Sequence, residues 1–106
     1  MSTLVVTNDK NNGNVELAVG DMLELHLTEN PTTGYRWKLS NLDDTFLRVL
    51  DSRYLVEGPT PGEAGIRRLI LEILKPGQAT LDARNMREWE GESSAIDRFH
   101  LTVMAK

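Results

Sequence analysis

The stretch "MLELHLTE", residues 22–29, decides the fold. In an extended chain it puts Leu23, Leu25 and Leu27 on one face and Glu24, His26 and Thr28 on the other. A period of two with one wet face is the signature of an antiparallel strand packed on a core. The pattern recurs downstream. "YRWKLS" sets Tyr35, Trp37 and Leu39 against Arg36, Lys38 and Ser40. "RRLILEIL" supplies Leu69, Leu71 and Ile73, and "ATLDA" places Leu81 between Ala79 and Ala83. "DRFHLTVM" sets Phe99, Leu101 and Val103 against Arg98, His100 and Thr102.

Between these runs lie "NDKNNGN", "VGD", "NPTTG", "EGPTPGEAG", "KPGQ" and "WEGESS", all rich in turn formers. Strands of about 5–9 residues between such breaks predict an all-β fold, an antiparallel sandwich of about seven or eight strands. Residues 41–54 are ambiguous. Asn41 could cap a short helical turn, but a turn followed by a strand from about Phe46 to Val56 is the preferred reading. Trp37, on an early central strand, is expected in the core, as the buried tryptophan of an immunoglobulin-like sandwich is. Each fully buried large aliphatic side chain contributes about 1.5–3 kcal/mol, so five strands with three apiece supply a core.

The 106 residues fit one domain, read as 1–106, and the chain contains no cysteine. A disulfide framework, a thiolate metal site and a thiol nucleophile are therefore excluded. A net charge of −4 argues against general nucleic-acid binding, which needs a basic footprint. The apolar runs are too short to span a bilayer as helices. "MSTLVVTNDK" has no basic start and no long apolar segment, so no secretory leader is read there. The expectation is the cytosol if the chain is complete, and the periplasm or secretion if a leader was removed.

Strand parity says which loops share an end. With strands at 21–28, 35–40, 46–56, 66–74, 79–86 and 96–104, successive loops alternate between poles. The loops 29–34, 57–65 and 87–95 then converge at one pole, and 41–45 and 75–77 lie at the other. The converging loops carry unusual chemistry. Residues 57–65 hold two prolines and three glycines, and the last loop sets Trp89 among polar residues, off any apolar stripe. An exposed tryptophan is a common binding anchor.

Catalysis is not expected. His26 and His100 are the only histidines, both at outward strand positions, and no nucleophile motif is present. Glu88, Glu90 and Glu92 read as a solvated face, with no geometry that fixes a metal. No cofactor is expected.

"NPTTGY" at residues 30–35 resembles the signature of the chagasin-like inhibitors of papain-family cysteine proteases. "PGEAG" at 61–65 is similar to that family's glycine-rich second loop, and "LKPGQATL" at 74–81 to the strand–turn–strand that follows. "REWE" at 87–90 resembles its third loop, usually R-P-W. Order and spacing agree over residues 15–104. Ala64 stands for a glycine of the second loop, Glu88 for the proline of the third, and Asn85 where tyrosine is usual. Ala64 is expected to stiffen its loop slightly, since alanine disfavours positive φ, and Glu88 to loosen its own.

The resemblance implies a small immunoglobulin-like sandwich that presents three loops as a wedge and reversibly fills the cleft of a papain-like cysteine protease; a monomer is expected. The protease-binding residues it implies are Asn30, Pro31, Thr32, Thr33, Gly34 and Tyr35 from the first loop. Gly62, Glu63, Ala64 and Gly65 follow from the second, and Arg87, Glu88 and Trp89 from the third. Thr32 and Thr33 would cover the catalytic cysteine and histidine, while the flanking loops grip the walls. Tyr35 and Trp37 would anchor the first loop's base in the core. On residue chemistry alone, a non-inhibitory module that uses the same pole to hold a peptide, a glycan or a partner protein is the alternative.

Overall fold

The computed structural model describes residues 2–30, 34–56 and 65–106. Among these are eight strands: β1 (Thr3–Thr7), β2 (Gly13–Leu17), β3 (Met22–Glu29), β4 (Arg36–Ser40), β5 (Leu47–Leu55), β6 (Gly65–Ile73), β7 (Gly77–Met86) and β8 (Asp97–Ala105). They form two four-stranded sheets, ordered β1-β3-β6-β5 and β2-β8-β7-β4. The predicted sandwich is present, and the ambiguous segment is a turn followed by strand β5.

The alternating leucines produce the expected packing. Leu23, Leu25, Leu27, Leu47 and Leu71 from one sheet meet Leu81, Leu101 and Val103 from the other, all at 0% exposure. Such closely packed interiors leave little room for a change of volume, so these positions fix the spacing of the two sheets.

Three features depart from the sequence reading. The outer pairs β1–β3 and β2–β8 are parallel, while every other pair is antiparallel. β4 is an edge strand rather than a central one, yet Trp37 points inward and is 4% exposed. β5, an edge strand of the other sheet, is mostly exposed and slips register between Val49 and Asp51. A bulge together with Arg48, Asp51 and Arg53 discourages edge-to-edge pairing.

Register fixes the two poles. At the far pole, Asp43 accepts hydrogen bonds from the Thr45 amide (3.0 Å) and hydroxyl (2.6 Å). The Phe46 carbonyl accepts from the Leu74 amide at 2.8 Å, which brings the turn before β5 beside the turn before β7. The opposite pole receives the ends of β3, β5 and β7 and the starts of β4 and β6.

Candidate functional site

The last rungs of two ladders assemble that pole. Glu29, ending β3, pairs with Gly65, which begins β6. Arg36, beginning β4, pairs with Met86, which ends β7. The segment 30–35 therefore leaves one sheet beside the exit of the 56–65 connection and enters the other beside the start of the 87–96 connection. The convergence read from strand parity is present in the stems of all three loops.

Beneath the pole sits a polar cluster that the sequence reading missed. Glu29 is 1% exposed. Its carboxylate accepts from Arg67 Nε at 3.1 Å and Nη2 at 2.8 Å, and from the Trp37 backbone amide at 2.8 Å. The Trp37 indole Nε1 donates to the Thr28 carbonyl at 2.7 Å. On the outer side, the Asn8 side chain accepts from the Thr28 amide at 2.9 Å. A buried charge persists only when paired and hydrogen-bonded, and Glu29 meets both conditions. The signal was in the parity: Glu29 continues the inward series Leu23, Leu25, Leu27, and Arg67 continues Leu69 and Leu71.

Of the predicted first-loop residues, Asn30 is exposed at the end of β3. Gly34 has φ of +81°, the left-handed region that favours glycine. A methyl group there would lie 2.4 Å from Cη2 of Trp89, so the first and third loops touch at this point. Tyr35 is half-buried rather than part of the core cluster. Its ring lies under Arg87, whose Cζ is 4.5 Å from the ring centroid. Such a cation–π contact contributes about 0.5–1 kcal/mol at an exposed site. Pro31, Thr32 and Thr33 lie outside the described residues, as do Gly62, Glu63 and Ala64 of the second loop.

Gly65 is buried in the first rung of β6. A Cβ there would meet the Leu55 carbonyl oxygen at 2.3 Å and the Tyr54 hydroxyl at 2.6 Å. Close backbone approach demands this glycine, which sequence alone reads simply as a turn residue.

The third loop is braced rather than loosened. Residues Glu88–Glu90 form a 3-10 turn, and the Glu88 carboxylate pairs with Lys38 on β4. That hydrogen bond, with the Lys38 charge behind it, holds the Glu88 carboxyl below its ordinary range. The Ser94 hydroxyl accepts from the Arg87 amide at 3.1 Å and donates to the Gly91 carbonyl at 2.7 Å. Arg87 also reaches Glu90 at 3.2 Å. An ion pair and a serine bridge thus restrain the loop in which Glu88 was expected to loosen the chain. Trp89 projects with 71% of its surface exposed, and Ile96, at the end of the same loop, with 63%. Among the described residues no cluster of metal-ligating side chains occurs.

The comparisons with known proteins agree with this geometry. The family model described as "Chagasin family peptidase inhibitor I42" matches residues 16–103. Amoebiasin-2 of Entamoeba histolytica is 28% identical over 88 residues, covering 81% of this chain and 72% of that protein. Chagasin of Trypanosoma cruzi is 25% identical over 105 residues, covering 94% and 96%. The crystal structure of the cysteine protease inhibitor EhICP2 from Entamoeba histolytica superposes with a TM-score of 0.87. That match covers 99% of this chain and 96% of the other at 21% identity, and it shows the shared fold. A family of inhibitors accords with the reading that the chain is not an enzyme, and the match spans most of its length: the chain belongs to the chagasin family of peptidase inhibitors.

Proposed function

We propose that this inhibitor of papain-like cysteine proteases blocks its target with the pole built from residues 30–35, 57–65 and 87–96. One observation carries the reading: the Glu29–Gly65 and Arg36–Met86 rungs bring the stems of all three loops together, with Trp89 exposed against Gly34. Asn30, Pro31 and Gly34 frame Thr32 and Thr33, which sit over the catalytic cysteine and histidine of the enzyme. Their hydroxyls satisfy polar groups that a dry cleft would leave unpaired, and their β-branched side chains have little rotamer freedom to lose. Trp89 packs on one cleft wall, and the segment containing Gly62, Glu63, Ala64 and Gly65 on the other. Arg87, held over Tyr35 and against Glu90, supports the third loop from inside. Glu88 acts in the same way through Lys38.

Inhibition of this kind is obstruction. No residue of the inhibitor reacts, and no carbonyl is delivered to the thiolate and its oxyanion site, so the chain survives binding uncut. The test is titration of papain with the protein against a fluorogenic peptide. The apparent KM rises with kcat unchanged, and mass spectrometry recovers the inhibitor at full mass. No inhibition of several papain-like enzymes at micromolar protein, or a chain cut within residues 30–35, refutes the proposal.

A further inference from the structure

We infer that Glu29, Arg67 and Trp37 form a positioning clasp that sets the spacing of the binding pole. The inference rests on the proposed mode of inhibition and adds to it residues that touch no protease. Glu29 closes β3, Trp37 is the second residue of β4, and Arg67 is the third residue of β6. These strands hold both stems of the first loop and the exit of the second. One carboxylate joins them: it takes two hydrogen bonds from the Arg67 guanidinium and one from the Trp37 amide. The indole of Trp37 returns a bond to the Thr28 carbonyl, so the first loop's stems are tied twice across the gap between the sheets.

The chemistry is unusual for a core position. Glu29 takes the inward place that a leucine would fill on the same strand, and Arg67 is largely buried, with 15% side-chain exposure. Replacing a buried ion pair by apolar residues of similar volume is often neutral or stabilising. A charged pair whose mutual attraction apolar side chains could replace, placed under the stems of two binding loops and aimed at the Trp37 amide, fits a role in geometry. Its hydrogen bonds have fixed directions, which leucine contacts lack. Without them the stems can sample other spacings. If only a tenth of the molecules then hold the docking geometry, the apparent affinity falls tenfold.

The test is Glu29→Leu combined with Arg67→Leu, assayed on papain beside the wild type. The double variant is expected to fold but to melt below the wild type, because the buried Trp37 amide loses its acceptor; it exchanges that amide faster and, at a temperature where it is fully folded, inhibits about tenfold more weakly with a slower association rate. A purely structural role would move the melting temperature and leave the association rate of the folded protein alone. Should the leucine pair not fold, Glu29→Gln decides. It keeps an acceptor for the Trp37 amide but weakens the Arg67 fork, and a severalfold slower association at a temperature where it is fully folded is expected. A folded variant that associates and inhibits like the wild type overturns the clasp. A wild type that fails to inhibit overturns the proposed function instead, so the two failures are told apart.

Discussion

Trp89→Ala separates the binding surface from the fold. The indole is 71% exposed, so most of its surface is free to be covered by a partner. A tryptophan can bury up to about 250 Å², and seven-tenths of that at ~25 cal/mol/Å² sets a ceiling of about 4 kcal/mol. Ordering of side chains and imperfect fit reduce this, and a central aromatic anchor in an interface costs about 2–3 kcal/mol when truncated. The inhibition constant should therefore rise roughly 30- to 150-fold, mostly through faster dissociation. The fold should hardly notice, with stability moving by at most about 0.5 kcal/mol, as for a surface substitution. Progress curves with papain give both rate constants, and thermal unfolding gives the control. The chain has two tryptophans, and Trp37 is buried, so loss of Trp89 should also leave only the blue-shifted emission of a core indole. An inhibition constant within about twofold of wild type would remove Trp89 from the interface. A large fall in melting temperature would show that the exposed ring supports the fold.

Other perturbations follow from the same geometry. Gly34→Ala forces a left-handed backbone at a cost of about 1–2 kcal/mol, lowering Tm by roughly 4–8 °C. Its methyl would also displace the Trp89 indole, so inhibition weakens too; unchanged inhibition would show that the ring's position is irrelevant. Asn85→Leu should stabilise by about 1 kcal/mol, because the buried Asn85 Oδ1 has no hydrogen-bond partner among the described residues; a lower Tm would mean the amide is satisfied by a bound water. Acid should erode stability through three carboxylates held below their ordinary values. Ala18 and Ser2 amides do this to Asp21, Thr45 to Asp43, and Lys38 to Glu88. Lowered groups stabilise above their unfolded values of 3.8 and 4.5 and lose that contribution as pH falls through the lower native ones. Tm in these groups' range should thus stay flat above about pH 5 and drop below pH 4; a rise on acidification would contradict this linkage.

The core was legible because leucine alternation is a local signal. Leu23, Leu25 and Leu27 name the inward face without knowledge of any partner strand, and turn chemistry marks where each strand stops. The common pole of the three loop stems was legible for a related reason, since parity needs only the number of strands. β1 and β2 were harder. They are five residues each, and they pair in parallel with strands well removed in sequence, so nothing nearby announces them. Glu29 and Arg67 escaped because a charged residue reads as the end of a buried face, although parity placed both inward. The bracing of Glu88 by Lys38 could not be read at all. It joins side chains fifty residues apart, on β4 and on the third loop, whereas a proline replaced by glutamate reads locally as a loss of rigidity. The demand for glycine at position 65 comes likewise from Leu55 and Tyr54 across the ladder.

Hydrogen–deuterium exchange, measured on the protein alone and saturated with a papain-like protease, tests the shared pole most directly. Protection should rise at residues 34–37, 65–66 and 87–91 together, with residues 43–46 and 74–78 at the far pole unchanged. Protection confined to the far pole or to the outer face of β5, with no change at 34–37 and 87–91, would contradict the account.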